Sequence, residues 1–197
     1  MARQLTKSNQ SFEFIVSNNF FYVDKTMFIR EWWKKGESVT LITRPRRFGK
    51  TMTMSMVERF FSVQYEGNPE VFANLDIYDD SEMMKEQGKY PVISLSLADV
   101  TDPTYGEMIK SLSAVIRDVF SKVSKYLGLD KIEPRDLEYI QRILKEKYDD
   151  NDEIIPLSEN TIKGSLKRLS SILNAKYDGK KQLSSLMNMM PRLKTHI

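Results

Sequence analysis

Apolar residues fall into short clusters separated by polar turns, and their spacing predicts alternating helices and strands. Residues 1 to 19 are polar, and the alternation of Phe12, Phe14 and Ile15 predicts a short edge strand there. Phe20 to Val23 is aromatic and β-branched, as in a strand or extended segment. Asp24 is placed to cap a helix carrying Met27, Phe28, Ile29, Trp32 and Trp33, with Gly36 as its stop. Val39 to Thr43 (VTLIT) is an apolar run of the length of a buried strand. A polar turn, Arg44 to Gly49, leads into a helical pattern from Lys50 to about Phe61, with Met54, Val57, Phe60 and Phe61 on one side.

The second half is more helical. After a loop around Gly67 to Pro69 and a mixed segment from Val71 to Tyr78, Ser81 to Gln87 is expected to make one or two helical turns. Pro91 to Leu97 (PVISLSL) alternates as a second strand. From Thr104 to about Leu127 a stripe running from Ile109 to Val123 follows helical spacing, and Gly128 ends it. Pro134 opens a charged helix to about Tyr148. Ser158 caps another, with the stripe Ile162, Leu166, Leu169, Ile172 and Leu173. There is no internal repeat and no low-complexity segment.

Composition narrows the chemistry. The 197 residues hold 30 Lys+Arg against 27 Asp+Glu, a formal charge of +3, which is too small to argue for nucleic acid by itself. The 41% hydrophobic share suffices for a core and excludes a fully disordered chain. There is no cysteine, and the single histidine is His196, so disulfides, thiolate metal sites and histidine triads are excluded. No run approaches the roughly 18 apolar residues of a membrane span, and the N-terminus lacks the apolar core of a signal peptide. A cytoplasmic, non-membrane protein is expected. The chemistry that remains belongs to backbone amides, Lys, Arg, hydroxyls and carboxylates, which points toward phosphate.

VTLIT-RPRRFGKT-MTMSMVERFF has the strand, turn and helix order of a phosphate loop. Gly49 allows close approach of the backbone, and successive amides with the positive end of the next helix cradle negative charge. Lys50 would reach the β- and γ-phosphates, and the Thr51 hydroxyl would ligate Mg2+. The usual first glycine of the pattern is Arg44 here. The opposing reading is a basic surface turn with a solvated Lys50. Arg46 and Arg47 are either solvated charges or further phosphate or partner contacts.

The stretches FFYVDKTMFI (Phe20 to Ile29), LITRPRRFGKTMTMSM (Leu41 to Met56) and YPVISLSL (Tyr90 to Leu97) closely resemble the bacterial AAA-ATPase-like family, over about Asn19 to Lys181. In that family the YVDKT block, the RPRRFGK[ST] loop and the PVI strand occur in this order, and Arg at the first-glycine position is normal. The resemblance implies ATP with Mg2+ at Arg46, Arg47, Phe48, Gly49, Lys50 and Thr51, with Thr51 on the metal. It implies contact with nucleic acid only indirectly, through a C-terminal nuclease-like domain that many members carry and that is expected to be absent here. For Tyr22, Asp24, Lys25 and Thr26 two readings stand: a helix cap with a packed aromatic, or a lid or adenine contact.

The resemblance also implies an acidic strand after the run AKYDGKK, Ala175 to Lys181, where one carboxylate orders the Mg2+ shell and a neighbour activates water. The next residues, Gln182 to Pro191 (QLSSLMNMMP), include no acid. Asp99, after the PVI strand, is expected to cap a turn rather than serve Mg2+. Reading each codon one base earlier turns Met187-Asn188 into Glu, Asn188-Met189 into Tyr or His, Met189-Met190 into Asp and Met190-Pro191 into Ala. Asp is one of four outcomes at Leu186-Met187. With TCN serine codons, Leu183 to Ser185 become residues from Phe, Leu, Ile and Val. The shifted frame therefore reads as an apolar run followed by (Asp)-Glu-(Tyr/His)-Asp-Ala, which is the missing acidic strand.

The expectation is a one-base frameshift near the Gly179 to Lys181 codons, with 1–181 as the N-terminal part of an AAA-ATPase-like domain and 182–197 as an out-of-frame tail. The expected fold is α/β, an incomplete P-loop NTPase-type fold with a helical C-terminal half, in which VTLIT and PVISLSL lack their usual neighbours. The expected function is nucleotide binding without hydrolysis, no catalytic residue being assigned. The alternatives are a non-enzymatic helical interaction module using the Ile109 to Val123 stripe, or weak nucleic-acid binding through Arg44, Arg46, Arg47 and Lys50.

Overall fold

Phe12 and Ile15, three positions apart, are both fully buried, so the first ordered segment follows a helical period instead of the expected strand alternation. In the computed structural model this is α1 (Phe12–Ser17), with the Ser11 hydroxyl accepting from the Phe14 amide. The intervening Phe14 lies outside the core and stacks on Phe20 at 5.6 Å. The structure describes residues 4, 11–43, 45, 48–128, 132–145, 148 and 153–177, and the backbone of 183–187. The chain divides into two compact units, 1–92 and 93–197.

In the first unit, residues 20–25 form no strand. α2 (Met27–Lys35) is capped at Thr26, two residues after the expected Asp24, and stops at Gly36 in the left-handed conformation, φ 63°. α3 (Lys50–Phe61) spans the expected range and buries Met56, Val57, Phe60 and Phe61. Its last turn meets a ring cluster: Phe60 packs edge-on to Phe72 at 5.3 Å, and Phe72 stacks on Phe12 at 5.3 Å. Short 3-10 turns at Val63–Tyr65, Glu70–Phe72 and Asp76–Asp79 lead to α4 (Ser81–Met84), capped by Asp80. The chain then returns beside the end of α3, where Gly88 donates to the Phe60 carbonyl at 2.8 Å and Tyr90 to the Phe61 carbonyl at 2.9 Å.

The expected buried strand Val39 to Thr43 is a correction. The segment is irregular, and Val39 and Leu41 are 85% and 83% exposed. A strand exists by pairing, and among the described residues no backbone group of 39–43 bonds to another backbone group. The run has strand composition but no neighbour to complete it.

From the boundary between the units onward, β1 (Val92–Ser96), expected from its alternation, pairs with β2 (Leu183–Met187) in a two-stranded sheet. The described architecture is mainly helical, and no larger sheet forms among the described residues. The helical C-terminal half holds. α5 (Tyr105–Leu127) is capped by Thr104 and ends at Gly128. α6 (Pro134–Leu144) stops short of the expected Tyr148, and α7 (Glu159–Lys176) is capped by Ser158. Ile116, Phe120, Ile140, Ile143, Leu169 and Leu173 from the three helices share one core. Within it Arg117 is buried and donates to the carbonyls of Ile143 (3.0 Å) and Ile155 (2.6 Å). Burial pushes its pKa below the usual arginine value. Ser113 joins the same layers, donating to Ile109 O and accepting from the Leu157 amide.

Candidate phosphate-loop site

Gly49 sits at φ 73°, ψ 22° as the N-cap of α3, a left-handed conformation that side chains with a Cβ adopt at a cost. That turn swings the chain from Phe48 into the helix. The Gly49 carbonyl accepts both the Thr53 amide (2.9 Å) and the Thr53 hydroxyl (3.0 Å), which seats the first turn. The first amides of an α-helix have no intrahelical acceptor, and the N-cap here is a glycine, which has no side chain to supply one. The partial positive charge of the helix terminus is therefore presented at Lys50 and Thr51. Both are half-buried, and a Cβ built on Gly49 meets nothing within 4 Å, so the space over the turn is open. Phe48 is 62% exposed beside it. Arg44, Arg46 and Arg47 lie outside the described residues.

The Tyr22 to Thr26 block touches α3 through Tyr22 and ties α2 to the turn at Asp76–Asp79. The Tyr22 hydroxyl donates to the Met56 thioether at 3.4 Å and accepts the Lys25 amide at 3.4 Å. Burial pushes the Tyr22 phenol up to about 12. Asp24 Oδ1 accepts from the Thr26 amide (2.8 Å) and hydroxyl (2.7 Å), while its Oδ2 accepts the Asp76 amide at 2.7 Å. The buried Thr26 oxygen in turn accepts the Ile77 amide at 3.2 Å. Of the two readings of this block, the cap with a packed aromatic matches these contacts. The Phe12 amide adds a tie to the Ser55 hydroxyl at 3.1 Å.

Sequence reasoning did not single out Ser55, Asp76 or Arg59. The first two act through partners 43 and 52 positions away, for which a single sequence carries no signal. Arg59 is buried on α3, with Nη2 donating to the Asn68 carbonyl and the guanidinium 4.2 Å over the Tyr65 ring. Its Nε lies 3.3 Å from Glu13 as an ion pair without hydrogen-bond geometry.

Other expectations separate from the loop. Asp99 is exposed, and only its carbonyl, accepting from Thr101, takes part in the turn it was expected to cap. Among the described residues no three His, Cys, Asp or Glu side chains lie close enough to hold a metal ion. Of the stripe offered as an interaction surface, Ile116, Val119, Phe120 and Val123 are core. The tail's side chains, His196 included, lie outside the described residues. No described helix is long and apolar enough to cross a membrane.

A family model for AAA-ATPase-like proteins, described as a predicted AAA-ATPase, matches residues 8–181. No curated protein and no solved structure matches the chain.

Proposed function

The chain belongs to the AAA-ATPase-like family, and on that premise we propose that it binds ATP with Mg2+ through a phosphate loop centred on Phe48 to Thr51. The observation that carries the reading is the left-handed Gly49 immediately before Lys50 and Thr51 at the start of α3. Gly49, left-handed at φ 73°, turns the backbone from Phe48 into the first turn of α3, where helix amides would meet the phosphate oxygens. The helix terminus adds fixed positive potential there without reorganisation. Lys50 adds a full positive charge, and Arg46 and Arg47 add planar donors. The Thr51 hydroxyl would ligate Mg2+, whose charge, when bound, offsets that of the phosphate oxygens.

The reading is binding without turnover. Hydrolysis needs a carboxylate to order the metal shell and another to position water. Residues 182–197 contain neither Asp nor Glu in the frame as written. The family match ending at residue 181 supports taking 1–181 as the AAA-ATPase-like part and 182–197 as out-of-frame tail. The P-loop α/β fold is part of the same proposal.

Titration calorimetry with Mg-ATP tests this. Wild-type protein is expected to bind, and Lys50→Ala to bind about ten-fold or more weakly, as loss of one charge-assisted contact implies. No phosphate is released in either case. Absence of binding by well-folded wild-type protein overturns the nucleotide reading, and sustained phosphate release overturns the absence of turnover.

A further inference from the structure

We propose that the surface where α6 meets α7 is a carboxylate-binding site, formed by the Tyr139 hydroxyl and the guanidiniums of Arg142 and Arg168. It lies in the second unit, whereas the phosphate loop lies in the first, and it does not rest on the nucleotide reading. The Tyr139 ring is half-buried against the core, 6.1 Å from the Phe120 ring, which holds it in place. Arg142, three positions along α6, has its guanidinium 5.3 Å from the centroid of that ring, and Arg168, reaching across from α7, lies 4.8 Å from it. One guanidinium stacked on a tyrosine is ordinary packing and needs no ligand. Two beside one ring repel each other, and among the described residues only Arg168 has a carboxylate, its Nη2 donating to Asp136 Oδ1 at 2.7 Å. Neither the Arg142 guanidinium nor the Tyr139 hydroxyl has a hydrogen-bond partner among the described residues. Burial raises the Tyr139 phenol above its ordinary value and the two arginines pull it back, so both charges act at the hydroxyl.

Charge and shape identify the ligand. Two guanidiniums against one carboxylate leave a single positive charge at the ring. Arg142 offers donors only and the phenol can donate, so the ligand is an acceptor. A carboxylate carries the matching single negative charge. Being planar, it can take two parallel N–H donors from the Arg142 fork and a third hydrogen bond from Tyr139. A phosphate dianion would leave surplus negative charge beside Asp136. Small organic acids and the Asp or Glu side chains of a protein both carry this group, and the test separates the two sources.

The test titrates the 15N-labelled full chain with sodium acetate and follows the guanidinium Nε–Hε resonances of Arg142 and Arg168. Sodium chloride and sodium phosphate at matched ionic strength are the references. Acetate is expected to move both resonances saturably. Arg142→Gln changes an exposed side chain, and it is expected to weaken the response at Arg168 about ten-fold with an unchanged thermal melt. Tyr139→Phe keeps the ring and loses the donor, and it is expected to weaken binding about three-fold. An acetylated and amidated Ala-Glu-Ala peptide identifies the source. Tighter binding than acetate assigns the site to a protein side chain, equal or weaker binding assigns it to a small acid, and either supports the proposal. An equal response to chloride, tighter binding of phosphate than of acetate, a wild-type response in Arg142→Gln, or no response at all overturns it.

Discussion

Asp24 accepts the backbone N–H of Asp76 at 2.7 Å across 52 positions of chain. Together with the Thr26 oxygen on the Ile77 amide, it pins the start of α2 to the 3-10 turn at Asp76–Asp79. A charge-assisted bond to a backbone amide contributes about 1.5–3 kcal/mol, and removing one partner leaves the other short of an acceptor. Asp24→Ala is expected to destabilise the protein by about 1–3 kcal/mol in denaturant unfolding. Asp24→Asn keeps an acceptor oxygen and should cost less. The Asp76 and Ile77 amides should lose hydrogen-exchange protection in Asp24→Ala. Unchanged protection there means the pin contributes nothing.

Two glycines with nearly the same backbone separate strain from collision. Gly67 (φ 74°) and Gly88 (φ 70°) are both left-handed, but a Cβ on Gly67 meets open space, whereas one on Gly88 would lie 2.6 Å from the Glu66 Cα. Gly67→Ala should cost only the conformational term, about 1 kcal/mol. Gly88→Ala must also push backbone against backbone where the chain returns beside α3, and is expected to cost at least about 2 kcal/mol more. Equal melting temperatures for the two variants contradict the packing described for Gly88.

The buried Tyr22 phenol titrates near pH 12 when folded, against 10.0 for the free group. The folded state holds the proton more tightly, so this stabilisation is complete below about pH 10 and is lost as pH rises through about 12. Tyr65 and Tyr90 are raised in the same direction, burial being the largest cause in each. Stability should therefore fall on the alkaline side. Tyr22→Phe should fall less steeply, while losing the Met56 contact at all pH values. Phenolate absorbance provides the check: Tyr22→Phe should remove a late-titrating component, and removal of an early one contradicts the assignment.

Elements that depend on neighbours in sequence were legible in the sequence. The α3 range, the start near Thr104, Gly36 and Gly128 as stops, the cap Ser158, and β1 all rest on spacing, turn residues or short-range hydrogen bonds. Elements whose identity depends on what lies across space were not. Phe12, Phe14 and Ile15 fit either period, and only the Phe72 ring against Phe12 decides for the helix. Val39–Thr43 has the composition of a core strand, yet strand character needs a partner that the described residues do not supply. At the site, the helix expected from Lys50 does begin there, after a left-handed Gly49, but the strand expected before the loop does not form among the described residues. The YVDKT block was visible as a motif, but its work as a brace depends on Met56, Asp76 and Ile77, which no local pattern connects to it.

The central claim is that the backbone at the start of α3 cradles phosphate, and amide chemical shifts of 15N-labelled protein test it most directly. Addition of Mg-ATP or magnesium pyrophosphate is expected to move the Gly49, Lys50 and Thr51 amide resonances saturably, while adenosine leaves them in place. A well-dispersed spectrum in which these three amides do not respond, or in which adenosine moves them as far as Mg-ATP does, contradicts it.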